Sequence, residues 1–171
     1  IVEARRDHRQ RGQGMRLGRF RRRRGAPGMT YPAFAELVPH TEPMVLLDAL
    51  VDWREGEAHC VFEVKPRTPF VHDGVLRSPM LLEHMAQAVA ACLGYEAFRS
   101  GIGVRVGMII ACKQLEVFVD EVTVGTSLDV HVRRTRGSDV LSHFDCRVER
   151  AGERVVTSTL TLFHAEKPPG T

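Results

Sequence analysis

The stretch FVHDGVLRSPMLLEHMAQ, residues 70–87, joins a glycine-containing turn to the start of an apolar helix. Ser78 is predicted to be the N-cap and Pro79 the first helical residue, because these residue types are favoured at those positions. From residue 79 to 93 apolar side chains occupy nearly every side of the helix, which is typical of a helix buried in a core. Glu83 lies about one turn into this helix, where a carboxylate must be paired, neutralised or used in chemistry.

The segments on either side of this helix favour strands. Alternating apolar residues, separated by turns rich in Gly, Pro and Asp, predict a short helix, two strands, the long helix and four further strands. The predicted ranges are a helix at 31–38, strands at 44–53 and 58–64, a loop at 65–78, the helix at 79–99, and strands at 104–116, 127–134, 140–148 and 154–164. A helix that is apolar on nearly all sides needs another element to cover it. We therefore predict an α+β hotdog fold, a curved antiparallel sheet wrapped around one long central helix.

The charge distribution separates a basic N-terminal segment from the rest of the chain. The chain has 171 residues and a net charge of +3, but residues 1–28 contain ten arginines against Glu3 and Asp7, so the remainder carries about −5. We predict that residues 1–28 are an Arg-rich disordered leader or the result of a mis-assigned start, with Met29 as the better start, and that 29–171 form the hotdog domain. No apolar run approaches the ~20 residues of a membrane helix. Neither a membrane nor a nucleic acid is an expected partner.

The four cysteines, Cys60, Cys92, Cys112 and Cys146, stand singly, with no CxxC motif and no spacing typical of metal ligands. They are predicted to be free thiols, as in a reducing cytoplasm, and neither a metal nor a cofactor is expected.

His72, in the turn, and Glu83, on the helix, are the candidate catalytic residues. A neutral imidazole can act as a general base, and a carboxyl group among aliphatic neighbours can act as an acid. Backbone N–H groups near Gly74 and Met80 are candidates to polarise a carbonyl oxygen, and Gln87 is a candidate support for Glu83. This set suits removal of an α-proton beside a thioester with loss of a β-hydroxyl.

Each of these residues also has an ordinary structural interpretation. His72 can be a solvated loop histidine, Glu83 can form a salt bridge with a strand arginine such as Arg105, and Gln87 can satisfy a backbone group. Five further histidines are interpreted as ordinary: His59, His84, His131, His143 and His164.

Two segments resemble 3-hydroxyacyl-acyl-carrier-protein dehydratases of the FabZ and FabA type. PHTEPMVLLD at 39–48 resembles their segment LPHRxPxLLVDR, and LLEHMAQA at 81–88 resembles their helix segment IIEAMAQA. The resemblance covers about residues 31–165, and the closest pattern is the divergent branch of predicted dehydratases associated with aryl polyene pigment clusters.

The resemblance implies dehydration of (3R)-3-hydroxyacyl thioesters on acyl carrier protein to trans-2-enoyl thioesters. It matches Glu83 to the family's helix carboxylate and His72 to its histidine. It also implies a homodimer or a hetero-oligomer with another hotdog subunit, in which the histidine of one subunit meets the carboxylate of the other. The strand at 104–116 is the predicted pairing edge.

The sequence departs from the family pattern in the loop before the helix. The pattern HFPGxPxMPGVLxxE separates histidine and glutamate by fourteen residues, whereas His72 and Glu83 are eleven apart, and the FPG and MPG elements are replaced. Two alternatives therefore stay open beside the dehydratase: a non-catalytic hotdog subunit that pairs with an active dehydratase, and a hotdog acyl thioesterase. A nucleic-acid binder acting through the arginine leader is a further, weaker alternative.

Overall fold

The computed structural model describes residues 30–103, 107–138 and 140–164. In this part of the chain the predicted short helix, two strands, long helix and four later strands occur in the predicted order, together with three short strands and a 3-10 turn that were not predicted. They are α1 (Phe34–Leu37), β1 (Ala49–Arg54), β2 (Glu57–Glu63), β3 (Val71–His72), β4 (Val75–Arg77), a 3-10 turn (Ser78–Met80), α2 (Leu81–Arg99), β5 (Gly107–Val117), β6 (Glu121–Thr123), β7 (Ser127–Gly137), β8 (Leu141–Arg150) and β9 (Glu153–His164). The predicted leader at 1–28 lies outside the described residues.

Six strands form one antiparallel sheet in the order β1-β2-β7-β8-β9-β5. The short strands β3, β4 and β6 form a second sheet. The 19-residue helix α2 packs against the large sheet. The prediction of an α+β fold, with an antiparallel sheet and one helix packed against it, is confirmed at this level.

Side chains alternate between the two faces of the large sheet. On β2 and β7, residues such as Cys60, Phe62, Val130 and Val132 are buried in the core with α2, and the residues between them point to the opposite face. Helix α2 contributes a row of fully buried side chains to the same core. One side of the helix stays only half-buried, along the stripe of residues 83, 86, 90, 93 and 97.

The start of α2 differs from the prediction. Ser78 does not cap the helix, because a 3-10 turn occupies 78–80 and α2 begins at Leu81 without a side-chain cap. Ser78 is fully buried, its backbone N–H donates to the Asp120 carbonyl, and its hydroxyl has no hydrogen-bond partner among the described residues. The contact with the segment before β6 therefore decides how the chain enters the helix.

The predicted loop at 65–78 contains the β3–β4 hairpin, and β4 pairs with β6, a strand that the sequence did not predict. These strands have two or three residues, too few to show an alternating pattern.

The predicted pairing strand is β5, and it lies at an edge of the large sheet. Four apolar side chains of β5 are exposed in the single chain: Met108, Ile110, Leu115 and Val117. Phe118, which follows the strand, is exposed as well. Across the described residues, no helix is both long and apolar enough to cross a membrane.

Candidate active site

A cavity of about 630 Å³ runs along the half-buried side of α2. The stripe Glu83, Ala86, Ala90, Leu93 and Ala97 forms one wall, and residues of β5, β7, β8 and β9 contribute to the others. Since a helix rises 1.5 Å per residue, the thirteen steps from Glu83 to Glu96 span about 20 Å. The cavity is therefore a long groove with an apolar middle, a shape suited to an extended apolar ligand.

Glu83 and His40 lie together at one end of this cavity. The Nε2 atom of His40 is 3.5 Å from Oε1 of Glu83, and the two side chains are 31% and 35% exposed. Pro39 follows the last residues of α1, where a proline ends a helix, and the chain then turns so that His40 faces α2. The Nδ1 atom of His40 is buried and has no hydrogen-bond partner in the described part of the chain.

Gln87 fixes the Glu83 carboxylate from one turn further along α2. Its Nε2 donates to Oε1 of Glu83 at 3.1 Å and to the Met44 carbonyl at 2.7 Å, while its Oε1 accepts from the Leu46 N–H at 2.9 Å. The side chain is fully buried, so these bonds replace those that water would make. The same bonds explain why residues 44–48, predicted as strand, are irregular and β1 begins only at Ala49.

The other end of the cavity is also polar. Arg134 of β7 forms a salt bridge with Glu96 of α2. Ser142 of β8 lies next to His164 of β9, with its Oγ 3.0 Å from the histidine Nε2. An apolar chain bound along the groove therefore meets hydrogen-bonding groups at both ends.

The predicted site residues are only partly brought together within one chain. Glu83 and Gln87 are in contact, as described. His72 is exposed on the β3–β4 hairpin, and His72, Gly74 and Met80 are not among the described residues that line the cavity. Gly74 has a left-handed φ of 77°, and its carbonyl accepts from the Val124 N–H. Arg105, the alternative partner considered for Glu83, lies outside the described residues.

His40 is the residue that the sequence reasoning missed as a candidate. The available signal was its position in the Pro-His segment that carries the resemblance. The buried cysteines are unsuited to nucleophilic chemistry, because burial raises the pKa of the Cys92 thiol to about 12 and raises that of Cys60 further. His84 is also buried; desolvation lowers its pKa to about 4, so it is neutral and packs against the Phe62 ring.

Comparison with known proteins identifies the family. A family model described as ApeP-like, ApeP dehydratase, matches residues 32–170. The chain belongs to the ApeP-like dehydratase family. This confirms the resemblance to the divergent dehydratase branch. No curated protein sequence matches the chain significantly.

Solved structures show the same fold at low sequence identity. A chain of the dehydratase heterocomplex ApeI:P from Xenorhabdus doucetiae is 24% identical with a TM-score of 0.77, over 81% of this chain and 94% of that chain. An HP0420-homologue from Helicobacter felis is 12% identical with a TM-score of 0.60, over 82% of this chain and 96% of that chain. A hypothetical thioesterase with coenzyme A from Streptococcus pneumoniae TIGR4 is 12% identical with a TM-score of 0.54, over 68% of this chain and 84% of that chain.

Proposed function

We propose that the protein dehydrates (3R)-3-hydroxyacyl thioesters, carried on the phosphopantetheine of an acyl carrier protein, to trans-2-enoyl thioesters in fatty-acid or polyene-type biosynthesis. The observation that carries this proposal is the contact of Glu83 with an imidazole at the end of a long apolar groove. We also propose that the large sheet curves around α2 as in the hotdog fold. The proposed location is the cytoplasm, whose reducing conditions keep thiols free.

The reaction needs one base and one acid on the same substrate carbon pair. The imidazole takes the proton from the α-carbon, the electron pair forms the double bond, and the bond to the β-hydroxyl breaks as protonated Glu83 supplies a proton to the departing water. The imidazolium then holds one extra proton and the carboxylate lacks one. A contact of 3.5 Å between His40 and Glu83 allows that proton to return before the next turnover.

We propose His40 as the base that acts with Glu83 of the same chain, and Gln87 as the residue that orients the carboxylate. His72 stays a prediction as the base supplied by a second subunit, together with backbone N–H groups near Gly74 and Met80 as donors to the thioester oxygen. Since His72 is exposed on the β3–β4 hairpin and does not line the cavity of its own chain, the proposed route to a Glu83 is across the contact with a second chain.

The edge strand β5 is the proposed surface for that second chain. Its exposed Met108, Ile110 and Leu115 border an unpaired strand edge, which proteins ordinarily cover. The partner is a second copy of this chain or a different hotdog subunit, and the ApeI:P heterocomplex is the precedent for the second arrangement. The exposed His72 favours one alternative function, a non-catalytic subunit that completes an active dehydratase.

The proposal is tested with the full chain and a 3-hydroxyacyl group loaded on acyl carrier protein, by following the absorbance of the α,β-unsaturated thioester. Glu83→Gln should keep the fold and abolish turnover, because an amide cannot exchange the required proton. Glu153→Gln, at the exposed first residue of β9, is the matched control and should keep full activity. Full activity of Glu83→Gln contradicts the proposal, and release of free acid instead of enoyl product indicates a thioesterase.

A second comparison separates the two histidines. Replacing the working base should lower turnover by ~10²–10⁴-fold. We expect this loss in His40→Ala and near-normal turnover in His72→Ala. The opposite result assigns the base to His72 and to a site shared between two subunits. A chain that is inactive alone, and active only when a catalytic hotdog subunit is added, supports the non-catalytic alternative.

A further inference from the structure

The face of the large sheet that points away from α2 carries a compact group of metal-ligating side chains. His59 on β2 and His131 on β7 are direct cross-strand partners, and Asp129 precedes His131 by two residues on the same face. Glu149 on β8 is the cross-strand partner of Asp129. Side chains at i and i+2 of a strand, and at paired positions of neighbouring strands, share one face, so four potential ligands converge from three strands.

The distances within this group are short. The Nε2 atom of His59 is 2.7 Å from Oδ1 of Asp129, and the Nε2 atom of His131 is 3.5 Å from Oε2 of Glu149. The two imidazole rings are stacked, with centroids 4.2 Å apart and planes at 21°. One ligand atom from each of His59, Asp129 and His131 can be chosen so that all three lie within 4.8 Å of one another.

We propose that His59, Asp129 and His131 bind a zinc ion, with Glu149 as the fourth ligand. Imidazole nitrogens and carboxylate oxygens are common zinc ligands, and two carboxylates balance the charge of the ion. Each histidine binds the metal through one ring nitrogen as a neutral imidazole and carries its single proton on the other ring nitrogen; a histidine that holds two protons before binding releases one of them to solvent.

The change in geometry that zinc requires is small. With Zn–N and Zn–O bonds of ~2.0–2.2 Å, ligand atoms in a tetrahedron are ~3.4 Å apart. The 2.7 Å contact between His59 and Asp129 must therefore open slightly, and the separations among the ligand atoms of His59, Asp129 and His131, which reach up to 4.8 Å, must close by up to about 1.4 Å. Glu149 contacts this group through His131 and must turn towards the ion to become a ligand. All four side chains are half-buried and can adjust by rotation about their side-chain bonds.

Arg147 is the cation that competes with the metal for Glu149. Its Nε lies 3.2 Å from Oε1 of Glu149, whereas the other oxygen, Oε2, faces His131. One carboxylate can therefore bind the arginine and the metal through different oxygens. The ion would tie β2, β7 and β8 together on the face opposite the cavity, so the proposed role is structural and independent of the proposed reaction.

The test uses the full chain without an affinity tag, stripped of metal by a chelator and titrated with Zn²⁺ alone. A Cys112→Ser background removes the exposed thiol, which is the other accessible soft ligand. We expect one zinc per chain and a melting temperature raised by about 5–11 °C when free zinc exceeds its Kd by about a hundredfold. Titration with Co²⁺ should give the visible bands of nitrogen and oxygen coordination without a thiolate charge-transfer band.

Variants locate the bound ion. His59→Ala and His131→Ala should each weaken zinc binding by at least ~10-fold, since even indirect support of a ligand has an effect of that size. Asp129→Asn preserves the shape of the side chain and a hydrogen bond to His59, and it should also weaken zinc binding. This variant keeps the test decisive if an alanine variant fails to fold. His143→Ala, on the same face but bonded to Thr161, is the matched control and should bind normally. Absence of stoichiometric zinc, or zinc retained by the His59→Ala/His131→Ala double variant, overturns the proposal.

Discussion

Gly94→Ala tests whether the close packing of α1 on α2 positions the candidate site. Gly94 is buried on α2, and a Cβ atom added there would lie 2.0 Å from the backbone oxygen of Leu37 and 2.9 Å from its carbonyl carbon. Ordinary contacts begin near 3.4 Å, so the helices must separate by about 1.4 Å at this point, the difference between 3.4 and 2.0 Å. The obstacle is backbone, which cannot rotate away as a flexible side chain does.

The size of the effect follows from two opposing terms. Overpacking a well-filled core costs about 1–3 kcal/mol, and a clash with backbone belongs at the upper end of that range. Alanine gains about 1 kcal/mol over glycine in a helix interior. The net loss of about 2 kcal/mol in the free energy of unfolding corresponds to a melting temperature lower by about 4–8 °C for a chain of this size.

The same displacement reaches the candidate site, because His40 follows Leu37 by three residues. A reacting group moved by about 1 Å can lose ~10²-fold in rate. We therefore expect Gly94→Ala to lower both stability, measured by thermal and urea denaturation at fixed protein concentration, and dehydration measured well below the melting temperature. Gly103→Ala, where an added Cβ meets no atom of the described residues within 4 Å, is the control and should change neither. A Gly94→Ala protein as stable as the parent would refute the packing argument.

Two further predictions concern buried polar side chains. Gln87→Leu leaves the Met44 carbonyl and the Leu46 N–H without their side-chain partner. It should lower the free energy of unfolding, measured by urea titration, by about 3 kcal/mol. A loss below about 1 kcal/mol would show that these groups find other partners. His84 has its pKa lowered by burial from 6.5 to about 4, so the unfolded chain binds a proton that the folded chain does not. Above pH 6.5 both states hold His84 neutral, and its titration takes nothing from the free energy of unfolding. As the pH drops from 6.5 towards 4, the free energy of unfolding should fall by about 1.4 kcal/mol per pH unit. His84→Met should reduce that slope, and identical slopes in the two proteins would contradict the assignment.

The long helix and the main strands could be predicted because their patterns are long. Helix α2 was expected at 79–99 and spans Leu81–Arg99, and the five long strands β2, β5, β7, β8 and β9 each start within three residues of their predicted position. The short strands β3, β4 and β6 carry too few residues for a period to appear. The absence of an N-cap at Ser78 depends on a contact with Asp120, forty-two residues away, that no local pattern indicates.

Glu83 and Gln87 could be predicted as site residues because both stand out on an apolar helix at a spacing of four. For His40 the one signal was its place in the Pro-His segment, because its contact with Glu83 joins positions forty-three residues apart and depends on how the turn after α1 folds onto α2. The His59–Asp129 contact was hidden for the same reason, since its members are seventy residues apart. The expectation of no metal came from cysteine spacing, which does not reveal histidines brought together across strands, and it stays a prediction that the zinc titration tests.

The two segments that carry the family resemblance are parts of one physical unit. Gln87, in the segment 81–88, makes its two backbone bonds to Met44 and Leu46, in the segment 39–48. Glu83, from the first segment, faces His40, from the second. A glutamine on the helix therefore does two things with one side chain: it binds the backbone of Met44 and Leu46 before β1, and it holds the carboxylate opposite the imidazole. This is the physical reason why the Pro-His segment and the Glu-x-x-x-Gln segment occur together in this chain, and why a change in either is expected to disturb the other.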